Sequence, residues 1–170
     1  MALEARFGEC GLKMHPEKTK IAYCGTDKTP DIPDIRSEFT FLGFCFRARG
    51  AINKKTMEVF KGFLPAVSNE NLKKMRRTIR GWKLGSLTHL TLEALAEQIN
   101  PVFRGWVQYF GAFYRTSLYP LAYYLNQRLA KWVGNKYKRR RSKARSFDFL
   151  GKVCKSNPKL FVHWQLVTVC

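Results

Sequence analysis

The chain has 170 residues, room for one ordinary domain or two small ones, and its 45% hydrophobic and 14% aromatic content can bury a core, which argues against wholesale disorder. Its 31 Lys and Arg face only 12 Asp and Glu, a formal charge of +19 that self-repels in a compact fold and points to a polyanionic partner. No apolar run approaches the roughly 18 residues needed to span a bilayer, and the acid-containing start MALEARFGECGLKMHPEKTK lacks the apolar stretch of a signal peptide, so a soluble cytoplasmic protein without membrane contact is expected.

In chain order, residues 2–10 read as the end of a helix, with Leu3 and Phe7 one turn apart and Gly11 suited to the left-handed position that follows a helix. Two extended segments come next, residues 12–24 and 39–47, separated by GTDKTPDIPDIRSE with its two prolines and four acids. In FTFLGFCF, Phe39 and Phe41 alternate with Thr40, Leu42 and Phe44, so both faces carry bulky apolar groups and a strand covered on both sides is expected. An isolated pair of strands is marginal in water, so this third of the chain reads as the remnant of a larger sheet.

A boundary is expected at Gly62-Phe63-Leu64-Pro65. Ser68 then caps a helix whose apolar positions Leu72, Met75, Ile79 and Trp82 follow the helical repeat. A second helix starts at Thr91 with Leu92, Leu95 and Ile99, breaks or kinks at Pro101, and resumes through Val102, Trp106 and Phe110. A third runs from about Leu118 to Tyr137 with Leu121, Leu125, Leu129, Trp132 and Val133 as its stripe. After the basic run of residues 136–145 come a short helix near residues 147–155 and an aromatic tail, LFVHW. The class is α+β, mainly α: residues 1–64 with a strand pair, 65–140 a basic three-helix bundle, and 141–170 a basic extension.

The charge divides the same way. Residues 1–67 hold 11 bases and 8 acids, net +3, whereas residues 68–170 hold 20 bases and 4 acids, net +16. On the first bundle helix Lys73, Lys74, Arg76, Arg77, Arg80 and Lys83 face only Glu70, so a nucleic-acid contact is favoured over a merely solvated face, which would mix signs. The expected contacts continue through Arg104 and Arg115, Arg128 and Lys131, and the run Lys136, Lys138, Arg139, Arg140 and Arg141. Among the aromatics, Trp106, Phe110 and Phe113 have core spacing, while Tyr109, Tyr114 and Tyr119 are the better candidates for stacking on bases. His15, His89 and His163 are far apart, and the five cysteines form no CxxC pair, so no metal site or cofactor is expected and the thiols are expected reduced.

The order of segments resembles the reverse transcriptase/maturases encoded by bacterial group II introns. GLKMHPEKTKI (residues 11–21), FTFLGFCFR (39–47), LKKMRRTIRGW (72–82), INPVFRGWVQYFGAF (99–113) and YLNQRLAKWVGNKYKR (124–139) look like that family's successive C-terminal blocks. The resemblance implies that the first two end the polymerase palm and the others form the thumb, or maturase-specific domain X. It implies group II intron RNA and an RNA/DNA template-primer duplex as partners, a bacterial cytoplasmic setting, and Mg in the intact polymerase. It also implies that Lys18 lies near the incoming nucleotide's phosphates as a leaving-group acid. The family's Tyr-Ala-Asp-Asp motif is not in this sequence, so the chain alone is expected to be inactive as a polymerase, and no paired cysteines and histidines of an HNH-type endonuclease follow. Two alternatives stand beside this: the C-terminal half of a split reverse transcriptase completed by a separate finger-palm segment, and a basic protein that binds any nucleic acid through charge alone.

Overall fold

The computed structural model describes residues 2–15, 19, 21–25, 35–53, 55–167 and 169. The elements are α1 (Ala2–Glu9), β1 (Ile21–Ala22), β2 (Ile35–Arg36), β3 (Glu38–Phe41), β4 (Phe44–Ile52), β5 (Val59–Val67), α2 (Asn69–Gly81), α3 (Leu92–Phe110), α4 (Tyr119–Lys136) and α5 (Lys143–Ser156). Short 3-10 turns lie at Leu84–Ser86, Arg115–Leu118, Lys138–Arg140 and Val162–Gln165. The protein is mixed α and β and mainly helical, as its patterning predicts. It divides into two compact units, Met1–Phe39 with Phe46–Leu64, and Thr40–Cys45 with Pro65–Cys170.

In the first unit β1 and β2 pair in parallel, Ile21 opposite Ile35. Of the strand expected over residues 12–24, only Ile21–Ala22 is a strand among the described residues, and Lys18 lies outside them. Phe39 stacks on Phe46 at 4.8 Å, yet none of the unit's described residues is buried: Leu3, Leu12, Ile21, Ile52, Met57, Val59 and Phe60 are all exposed.

β3, β4 and β5 form a three-stranded sheet in that order. The single strand expected over residues 39–47 is two strands joined by a two-residue turn, Leu42 and Gly43, with φ of 48° and 82°. Positive φ at both central residues is the hairpin-turn pattern, and apolar alternation runs through it unbroken, so period alone does not reveal it. Phe39, Phe41 and Leu42 are exposed, so the expected cover on both faces is also absent among the described residues. The turn is fixed within the second unit: Gly43 O accepts from Asn71 Nδ2 at 3.0 Å and from Ser68 N at 2.9 Å, and Tyr109 Oη donates to Leu42 O at 3.2 Å. A Cβ on Gly43 would lie 2.2 Å from Asn71 Nδ2. β5 runs through residues 62–65, where a boundary is expected and where the two compact units divide between Leu64 and Pro65, and its position at the sheet edge tolerates Pro65.

The second unit holds every buried apolar residue among those described. Ser68 and Thr91 cap α2 and α3 as expected, their side-chain oxygens accepting from Asn71 N (3.3 Å) and Ala94 N (3.2 Å). α3 runs unbroken through Pro101, between the buried Ile99 and Phe103. α4 buries Leu121, Leu125, Leu129, Trp132 and Val133, and Trp132 Nε1 donates to Leu87 O at 2.8 Å, holding the segment between α2 and α3.

The expected three-helix bundle with a basic extension differs from this core in one respect. A fourth helix, α5, buries Leu150, and Phe161, Val162, Trp164, Leu166 and Val167 enter the same core. Two asparagines draw this segment in. Asn100 donates to Leu160 O at 2.8 Å and accepts from Val162 N at 3.0 Å, while Asn126 Oδ1 accepts from His163 Nε2 at 2.7 Å and Trp164 Nε1 at 3.1 Å. His163 is fully buried with no partner for Nδ1, and burial pushes its pKa down to about 3, so the ring is neutral.

Candidate nucleic-acid interface

With Leu125, Leu129, Trp132 and Val133 turned into the core, the opposite side of α4 presents Gln127, Lys131 and Asn135 one turn apart, with Arg128 alongside. Two concave grooves border this line. One, of about 480 Å³, is formed against the start of α5 by Gln127, Ala130, Lys131, Gly134 and Asn135 with Arg141, Lys143, Ser146 and Phe147. The other, of about 260 Å³, is formed against the end of α2 by Arg128, Lys131 and Asn135 with Arg80, Lys83, Gly85 and Ser86. Lys131 and Asn135 border both, and neither lining contains an acid.

Local chemistry puts the cations there. α2 ends at Gly81 and Trp82, and Lys83 takes the next position in the left-handed conformation, φ 47°, that glycine normally fills. Asn135 Nδ2 donates to Gly85 O at 2.8 Å, closing the groove floor. On the other side Ser142 Oγ accepts from Arg145 N at 3.4 Å to cap α5, and the buried Ser146 Oγ donates to Arg140 O at 2.6 Å, folding the basic run back against α4. The first turn of α5 therefore carries Lys143 and Arg145 at the positive end of the helix dipole, where acids are normally preferred.

Neutralising carboxylates are elsewhere. The four acids of the second unit are Glu70, Glu93, Glu97 and Asp148. Glu70 pairs with Lys74 at 2.7 Å, and that hydrogen bond and charge hold its carboxyl below the usual range; Asp148 pairs with Lys152 at 2.9 Å. Among the described residues neither lining places a carboxylate beside the groove cations.

Of the residues singled out in the sequence, Arg80, Lys83, Arg128, Lys131 and Arg141 come together at the grooves. Lys73, Lys74 and Arg77 are exposed on α2, with Arg76 half-buried; Lys138 and Arg139 are exposed on the turn before α5. Arg104 and Arg115 are exposed on α3 and just after it. Several of these cations are engaged by the fold: Lys136 Nζ donates to Leu90 O and lies 5.1 Å from the Trp132 ring, the Arg140 guanidinium sits 4.4 Å over Phe149 and 5.2 Å from Tyr137, and Arg128 lies 6.0 Å from the Tyr124 ring.

Tyr109 is half exposed, its ring 5.3 Å from Phe44, while Tyr114 and Tyr119 are half-buried. Phe113, expected in the core, is 67% exposed, because α3 ends at Phe110 and the helical spacing stops there; its ring meets Phe44 at 5.6 Å. Trp82 and Trp106 are half-buried and stack on each other at 6.1 Å. Lys143 belongs to the basic run of residues 136–145, whereas Gln127 and Asn135 carry no charge signal and share with Lys131 only the four-residue spacing that puts them on one side of α4.

No helix among the described residues is long and apolar enough to cross a membrane. Neither a curated protein nor a solved structure matches the chain. Residues 72–148 match the family described as group II intron, maturase-specific domain, a span containing every residue of both grooves.

Proposed function

Residues 72–148 being a group II intron maturase-specific domain, we propose that the helical unit binds group II intron RNA and assists its splicing, gripping the RNA backbone in the two grooves beside α4. The observation that carries this reading is the pair of acid-free grooves whose six cations are Arg80, Lys83, Arg128, Lys131, Arg141 and Lys143. Folded RNA is held chiefly through phosphates and 2′-hydroxyls, and a site with several cations and no carboxylates suits both. The remaining cations of α2 and of the turn before α5, with Tyr109 and Tyr114, extend the contact.

The test is a salt titration of binding to a folded group II intron RNA beside a length-matched unrelated RNA and a duplex DNA. Tighter intron binding that persists at high salt is expected. Equal affinities with one common salt slope would leave only a basic surface without recognition.

A second reading concerns the parent activity. In it the chain completes a reverse transcriptase, the helical unit gripping template-primer duplex and Lys18 serving the palm. The exposed Leu12, Ile21, Ile52, Val59 and Phe60 of a unit with no buried described residue favour it, since such a surface suits a covering polypeptide. Mixing with a separately expressed finger-palm segment should then yield Mg-dependent polymerase activity; none at micromolar concentrations of both would rule this reading out.

A further inference from the structure

Asn135 is out of character with its surroundings. It lines both grooves, and most of the charged and polar groups beside it can only donate: Lys131 and Arg128 on its own helix, Arg80 and Lys83 on one side, Arg141 and Lys143 on the other. Its amide is also oriented. Nδ2 is committed to Gly85 O at 2.8 Å, and the fit is close enough that a Cβ on Gly85 would lie 3.2 Å from that nitrogen. The remaining polar atom, Oδ1, is an acceptor, and Asn135 is exposed.

A phosphate diester has no proton to donate, so an oriented amide oxygen adds nothing to phosphate binding and repels it weakly. The ligand group that fits it is a hydroxyl lying between anionic groups. On a nucleic-acid backbone that group is the ribose 2′-hydroxyl, which RNA has and DNA lacks.

We infer that the Lys131–Asn135 line of α4 is an RNA-backbone reader: phosphates occupy the cationic grooves on its two sides, and a ribose 2′-hydroxyl between them donates to Asn135 Oδ1. This rests on the RNA-binding reading above and adds to it the group that separates RNA from DNA. Lys131 serves both grooves and sets affinity; Asn135 sets sugar discrimination.

The test uses the full chain and three duplexes of one sequence, namely RNA, DNA and RNA with 2′-O-methyl riboses, followed by fluorescence anisotropy across a salt series. The RNA duplex should bind roughly five- to tenfold tighter than the other two, the worth of one net hydrogen bond. Asn135→Ala should abolish the difference between the RNA duplex and the other two, whatever it does to their common affinity. Lys131→Ala should weaken all three and lower the salt slope by about one unit.

Equal binding of all three duplexes by the wild-type chain overturns the inference, as does an Asn135→Ala variant that keeps the full RNA preference. The comparison of 2′-hydroxyl with 2′-O-methyl on the wild-type chain decides the matter even where the variant fails to fold. Strong RNA binding indifferent to the 2′-hydroxyl sinks this inference alone; no binding to any RNA sinks the reading beneath it.

Discussion

Lys83 offers a separation of stability from binding at a single residue. It occupies the position after the α2 C-cap with φ 47°, where a side chain crowds the following carbonyl and glycine does not. The left-handed conformation costs a non-glycine residue about 1–2 kcal/mol, and glycine's extra freedom in the unfolded chain takes back about 0.5–1 kcal/mol of any gain. Lys83→Gly should therefore stabilise the fold by about 0.5–1 kcal/mol, or roughly 1–4 °C in Tm. The same change removes one cation from the groove formed with Arg80, Arg128 and Lys131, so the salt slope for RNA binding should fall by about 0.7–0.9.

Lys83→Ala is the control, since it removes the charge and keeps the strained backbone. It should bind RNA as weakly as the glycine variant and melt no higher than the wild type. Urea unfolding and anisotropy titrations on the three proteins provide the comparison. A glycine variant less stable than the alanine variant would refute the strain argument, and an unchanged salt slope in both would remove Lys83 from the interface.

Two further predictions bear on the core that holds this surface. His163 stays neutral in the fold, with a pKa pushed to about 3 by burial, against about 6.5 when unfolded. Between those values the unfolded chain binds a proton that the folded chain does not, so the stability contribution is full above pH 6.5 and is lost as pH falls toward 3. At about 1.36 kcal/mol per unit, going from pH 7 to pH 5 should cost about 2 kcal/mol in urea unfolding. His163→Phe, which leaves Trp164 donating to Asn126 Oδ1, should flatten that profile; an equally steep one would show that other groups cause it. Gly43→Ala should cost about 1–3 kcal/mol, since it forces a side chain into φ 82° and onto Asn71 Nδ2, and an unaltered melting temperature would show the turn to be adaptable.

How far the sequence reveals this protein depends on how local each determinant is. α2 and the start of α3 were readable because Ser68 and Thr91 act on the third residue after them and the apolar repeat runs inside one helix. The hairpin at Leu42–Gly43 was not, because its strongest determinants are Ser68, Asn71 and Tyr109, at least 25 residues away along the chain. The C-terminal segment looked like a tail for the same reason: Asn100 and Asn126, which draw it into the core, are 60 and 37 residues distant from their partners. Most of the groove cations were visible as an excess of charge, but their division into two sets about Lys131 arises only when α2 and α5 pack on either side of α4. Asn135 is not legible in the sequence, because a neutral residue among lysines carries no signal until Gly85 O orients its amide.

Several features of the helical unit oppose stability. Lys83 holds a conformation better suited to glycine, Lys143 and Arg145 stand at the wrong end of a helix dipole, and the unit carries 20 bases against 4 acids. What holds the surface together against this repulsion is apolar: Leu150 of α5 and Phe161, Val162 and Trp164 after it lie in the same core as Leu125, Leu129 and Trp132 of α4, so the far wall of one groove is fixed by the C-terminal segment. A polyanion bound across both grooves relieves the two electrostatic costs and leaves the backbone cost at Lys83 in place, and binding to the folded state alone adds stability by mass action, about 2.7 kcal/mol at a hundredfold excess over Kd. On the proposed reading the charge excess has one physical account: the repulsion it costs the free fold is returned when a polyanion binds.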